Sequence, residues 1–177
     1  MVKIKKYKVK TKLKKIKDIA DLIISSLKNG GTVYTCGNGG SASQANHFAA
    51  ELIGKYEKKR GPLRSISLSA NEATLTCISN DFGYEDLFSR QIKGLGKKSD
   101  ILITFSTSGK SRNIYKAIIE AKKNGLKTIS FLGKNGGFCK GISDQEILIN
   151  KEKVSVIQEE HLKLCHYLCG EIDKKFN

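Results

Sequence analysis

Short apolar runs rich in β-branched residues alternate along the chain with longer stretches in which apolar side chains return every three or four positions. The first pattern reads as strand and the second as a helix with one buried face. "TVYTC" (32–36), "RSISLS" (64–69), "DILITF" (100–105), "KTISFL" (127–132) and "EILIN" (146–150) predict five strands. Helices are predicted over 13–29, 41–58, 71–79, 84–93, 111–124 and 154–175. Glycines mark joints between them, with Gly30 and Gly31 ending the first helix and Gly125 the fifth. Strand and helix in alternation predict an α/β unit with a parallel sheet, because parallel neighbours need a crossover between them.

Two of the predicted strand-to-helix joints carry chemistry. "CGNGGSAS" (36–43) follows the first strand and "FSTSGKS" (105–111) the third. In a parallel sheet such loops border one crevice, and the helix N-termini there present free N–H groups and a positive dipole end. Neither loop fits GxxxxGK[ST], and glycines at 37, 39 and 40 do not satisfy GxGxxG. Four hydroxyls (Ser106, Thr107, Ser108, Ser111) around Gly109 suit a phosphate monoester bound without a nucleotide. A sugar phosphate is therefore the expected ligand. Serine and threonine are also ordinary N-caps, so one such loop alone says less than two in register.

The helix over 41–58 places Ala42, Ala45, Phe48, Ala49, Leu52, Ile53 and Tyr56 on one stripe. His47 and Glu51 fall on the opposite side, one turn apart, with Ser43, Ala50 and Gly54 as small neighbours. They read either as an exposed i,i+4 pair or as acid–base or metal-binding groups lining a pocket or subunit contact. In the last helix Gln158 and His161 lie within an apolar arc and His166 at its edge, a pattern that points to a site or an interface carrying one.

Composition changes this picture in two ways. The net charge of +15 is concentrated at the start, where residues 1–17 hold nine lysines and no acid. Residues 1–12 are expected to be a basic, solvated arm ahead of a single domain over 13–177, with no nucleic-acid or membrane partner. Five cysteines without a CxxC argue against a zinc cluster of cysteines and a disulfide framework. With no long apolar segment either, the expected setting is soluble and cytoplasmic.

Taken together, "GNGGSASQANHFAAE", "SNDFG", "STSGKS" and "IQEEHLKLCH" resemble the phosphoheptose isomerases of the sugar isomerase (SIS) domain family, from about Gly30 to Ile172. The resemblance implies a flavodoxin-like three-layer sandwich with a five-stranded parallel sheet, and a homotetramer with shared active sites. It implies substrate contacts from Asn38, Gly39, Gly40, Ser41, Asn80, Asp81, Ser106, Thr107, Ser108, Ser111, Glu51 and Gln158. Glu51 and His166 match the catalytic acid–base pair, and His47, Glu51, Gln158 and His166 match four positions for one Zn2+ per subunit. The implied reaction converts sedoheptulose 7-phosphate to D-glycero-D-manno-heptose 7-phosphate, the first step towards nucleotide-activated heptose for lipopolysaccharide, capsule or another glycan. Lys55 stands where a relative has Arg in "ELTGRY", and Ser155 replaces a position that is acidic in some members. A different reading is a non-enzymatic relative of the DnaA-initiator-associating type, against which the retained Glu51 and His166 argue.

Overall fold

The computed structural model describes residues 2–176, and their side chains from residue 14 onward. Five parallel strands, β1 (Val33–Gly37), β2 (Ser65–Ser67), β3 (Ile101–Ser106), β4 (Lys127–Gly133) and β5 (Gln145–Ile149), form one sheet in the order β2-β1-β3-β4-β5. Six α-helices flank it: α1 (Val2–Lys28), α2 (Gly40–Ile53), α3 (Glu72–Phe82), α4 (Ser89–Leu95), α5 (Arg112–Lys123) and α6 (Val154–Asp173). This is the expected flavodoxin-like sandwich.

Strand alternation divides the core into two halves. Ile101, Ile103 and Phe105 of β3 point to the side of α1, α2 and α6, where Phe48, Leu52, Leu164, Leu168 and Ile172 meet them. Leu102 points the other way, to Ile78, Ile92, Ile114 and Ile118 of α3, α4 and α5. The central strands β1 and β3 are buried along their whole length, as covering both faces demands. α2 and α6 therefore share a face of the sheet and pack on one another. That places the two helices with the candidate histidines side by side.

Helix ends depart from the sequence expectation for physical reasons. α1 begins at Val2 rather than 13, since lysine is a good helix former and neither Gly nor Pro interrupts residues 2–28. The expected solvated arm over 1–12 concerns side chains outside the described residues. α2 stops at Ile53 instead of 58: Gly54 donates back to Ala50 O at 2.8 Å and the chain leaves the helix. Ile53, expected in the buried stripe, is 51% exposed. The stretch 84–93 is a 3-10 turn, Tyr84–Asp86, followed by α4. Between them the Ser89 hydroxyl lies 3.2 Å from Asp86 O, a local bond that competes with a continuous helix. None of the described helices is long and apolar enough to cross a membrane.

Candidate active site

Strand order reverses between β1 and β3, so the loops leaving these two neighbours flank the crevice at the carboxyl edge of the sheet. α2 starts at Gly40 behind Gly39 without a side-chain cap. A Cβ on Gly40 would lie 2.3 Å from Gln158 Nε2, so the missing side chain is what lets the amide of α6 sit over the start of α2. Ser41, in the first turn of α2, is buried.

The serine loop is a built turn. Ser106 Oγ, only 4% exposed as a residue, accepts from Gly109 N at 3.0 Å, and Ser108 Oγ accepts from Lys110 N at 3.1 Å. A hydroxyl has one donor and two acceptor sites, so both serines keep an O–H for a ligand. Ser111 stands at the N-cap of α5 yet makes no capping bond, and its Oγ lies 3.5 Å from that of Ser106. Partly buried Thr107 sits between them, its carbonyl close against Gly133. Gly109 has φ +63°, and a Cβ there would fall 1.9 Å from Gly136 O. The turn thus seats directly on the loop after β4, where Cys139 N donates to Gly109 O at 3.1 Å.

Asn38 has partners that the sequence did not disclose. Its amide forms a reciprocal pair with Asn113 of α5, 2.9 Å in each direction, and Tyr84 Oη donates to Asn38 Oδ1 at 2.9 Å. Asn38 consequently ties the two loops together as well as bordering a cleft of about 250 Å³ with Gly37, Gly39, Ser69 and Tyr84. The "STSGKS" motif ends at Ser111, two positions before Asn113, and so does not include it. Asn80 and Asp81 lie in the last turn of α3, exposed, with Asn80 Nδ2 donating to Asp81 Oδ1 at 2.7 Å. Within one chain they do not line that cleft.

Across the α2–α6 contact, His47 Nε2 lies 3.0 Å from His166 Nε2 and 3.5 Å from Glu51 Oε1. The two ring nitrogens are within hydrogen-bond distance, and which one donates is set by the tautomers of the rings. The His47 and Glu51 side chains are 38% and 21% exposed, open enough for a ligand and sheltered enough to be held. Tyr56 stacks on His166, with ring centroids 5.6 Å apart and 22° between planes. Gln158 is eight residues before His166, about 12 Å along the helix, so the four proposed metal positions do not meet in one chain. Among the described residues no group of three or more His, Cys, Asp or Glu is arranged around a metal position. The two imidazoles and the carboxylate are nonetheless donors of the type Zn2+ takes.

His161 is outside this site. It is fully buried between Phe105 and Phe131, its Nε2 3.4 Å from Leu132 O, and Nδ1 has no partner among the described residues. Burial, partly offset by that carbonyl, pushes its pKa down to about 4. In the unfolded chain a histidine takes up its proton near pH 6.5, so between these values the unfolded state binds the extra proton. Stability is therefore expected to fall as pH drops from about 6.5 to 4, by about 3 kcal/mol from this residue. Melting curves at pH 7 and 5 should show a smaller acid loss in His161→Leu than in the parent protein; equal losses would refute the assignment.

Known proteins match most of the chain in sequence and in backbone. A family profile described as SIS domain matches residues 1–133. The phosphoheptose isomerase of Helicobacter pylori strain P12 is 47% identical over 161 residues, 91% of this chain and 84% of that protein. A solved phosphoheptose isomerase from Neisseria gonorrhoeae superposes with a TM-score of 0.86 at 33% identity, covering 98% of this chain and 92% of its own. One from Francisella tularensis gives 0.87 at 34%, covering 97% of each. With sequence matched over 91% of its length and backbone over 97–98%, the chain belongs to the phosphoheptose isomerases of the SIS-domain family.

Proposed function

We propose that the protein interconverts sedoheptulose 7-phosphate and D-glycero-D-manno-heptose 7-phosphate. The observation that carries this reading is the contact line Glu51–His47–His166, a carboxylate beside two imidazoles within hydrogen-bond distance of one another. Ketose and aldose differ by a hydrogen moved between C1 and C2. Glu51 removes the C1 proton while His166 protonates the C2 oxygen, giving a cis-enediol. Loss of the proton from the C1 oxygen and return of a proton to C2 complete the aldose. The serine loop holds the phosphate with O–H and N–H donors at the start of α5. The non-enzymatic alternative is not favoured, because the relatives above carry isomerase names and this chain keeps both acid–base groups.

The two halves of this site lie far apart within one chain. Glu51 is eleven residues beyond Gly40, about 16 Å down α2 from the carboxyl edge of the sheet where the serine loop sits. This spacing supports an assembly, in our reading a homotetramer, in which the serine loop of one chain serves the acid–base groups of another. Asn80, Asp81 and Gln158 would contact substrate in the same shared manner. His47, Glu51 and His166 would hold one Zn2+ per subunit, with Gln158 a ligand only from another chain. When bound, the ion supplies a Lewis acid for the carbonyl oxygen. The five unpaired cysteines, four of them buried, suit the reducing cytoplasm.

One experiment tests these points together. NMR of pure protein with sedoheptulose 7-phosphate should show the aldose phosphate accumulating. A chelator should slow it if zinc takes part, and specific activity should fall on dilution if sites are shared. Absence of aldose in every arm, including one with added zinc, would end the proposal.

A further inference from the structure

We infer that Arg60, through a buried pair with Asp173, is a positioning residue for Glu51 and His166. This rests on the catalytic reading above. Arg60 follows α2 by seven residues and turns its guanidinium back under the helix end. Nη2 donates to Glu51 O at 2.7 Å and Nη1 to Leu52 O at 2.8 Å and Gly61 O at 3.1 Å, while Nε meets Asp173 Oδ1 at 2.7 Å. The two side chains are 0% and 3% exposed. The other carboxylate oxygen of Asp173 accepts from Glu57 N at 3.0 Å and Lys58 N at 3.2 Å. One buried knot thereby joins the last turn of α2, which carries Glu51, to the last turn of α6, two turns beyond His166. The same loop delivers Tyr56, whose ring backs the His166 imidazole.

The last carbonyls of any α-helix lack intrahelical partners, and a cation is well placed there. A cap alone, however, does not call for a desolvated ion pair, since well-packed apolar side chains often serve stability as well or better. What the pair adds is register: the guanidinium fork reads two carbonyls of α2 and one carboxylate of α6 at once. Lysine keeps the charge but cannot span those acceptors. Proton transfer is sensitive to misplacement on the scale of 1 Å, whereas the phosphate is held by a serine loop, in our reading another chain's, that takes no part in the knot. Loss of the knot should thus act on kcat and spare KM.

The test uses the full chain, with Arg60→Lys and the double variant Arg60→Met with Asp173→Leu, which orphans no charge. Both are expected to lower kcat about a hundredfold with KM within about twofold of the parent. Long-range 15N–1H spectra should show shifted imidazole signals for His47 and His166 in both, while the double variant melts near the parent protein. A double variant with parental kcat, or with unchanged imidazole signals, would reduce the pair to a structural tie and overturn the inference. If the parent protein has no activity on the heptose phosphate, the catalytic reading fails. The imidazole spectra still report separately on whether Arg60 sets the geometry.

Discussion

Glu51→Gln is expected to lower kcat by roughly a hundred- to ten-thousandfold, the usual contribution of a positioned general base, with KM little changed. Glutamine has nearly the same shape and helix propensity, and its amide still reaches His47, which lies 3.5 Å from the carboxylate in the parent protein. What it lacks is a basic oxygen for the C1 hydrogen. The phosphate cradle is unaffected because it is built from the end of β3 and the start of α5, without any residue of α2. Substrate binding measured by calorimetry should therefore survive in a variant whose aldose signal is lost from the NMR time course. Near-parental turnover would remove Glu51 from the mechanism.

The second large effect is expected at Gly109, where alanine should raise KM at least about tenfold and lower the melting temperature. Two independent obstacles coincide there. The backbone sits at φ +63°, a conformation that disfavours a Cβ by about 1–2 kcal/mol, and that Cβ would lie 1.9 Å from Gly136 O. Backbone cannot step aside as a flexible side chain can, so the turn from Ser106 to Ser111 must lift from the loop after β4. Its hydroxyls and the N–H groups at the start of α5 then lose their common focus. Phosphate binding by the variant should be weak even where circular dichroism shows the fold retained. Unchanged KM and unchanged melting would show that the serine loop does not need this seat.

Much of the molecule was legible before any coordinates. All five strands fall within a few residues of their predicted places, because two-sided burial leaves near-continuous apolar runs such as "ILITF" in β3. The helix starting at Gly40 and the turn at Gly109 followed from glycine and serine chemistry. Apolar spacing runs on through Tyr56 and predicts α2 to 58, five residues too far, because Gly54 ends the helix and Arg60 takes its terminal carbonyls. By spacing alone His161 groups with Gln158 and His166 in one pattern. A helical wheel shows that a histidine faces inward, but not that two phenylalanine rings of the sheet enclose it.

By itself the sequence determined what depends on neighbours a few positions away: strand and helix periods, the glycine joints, the hydroxyl-rich loop, and Glu51 one turn beyond His47. Only the tertiary structure decided the long-range pairings, namely His47 with His166 across 119 residues, Arg60 with Asp173 across 113, and Asn38 with Asn113 across 75. The reason is physical. Local pattern fixes which face of an element is apolar, whereas which polar groups meet along the contact depends on strand order and on how far each helix slides along its partner. A pairing of that kind exists only once both elements have packed on the same side of the sheet.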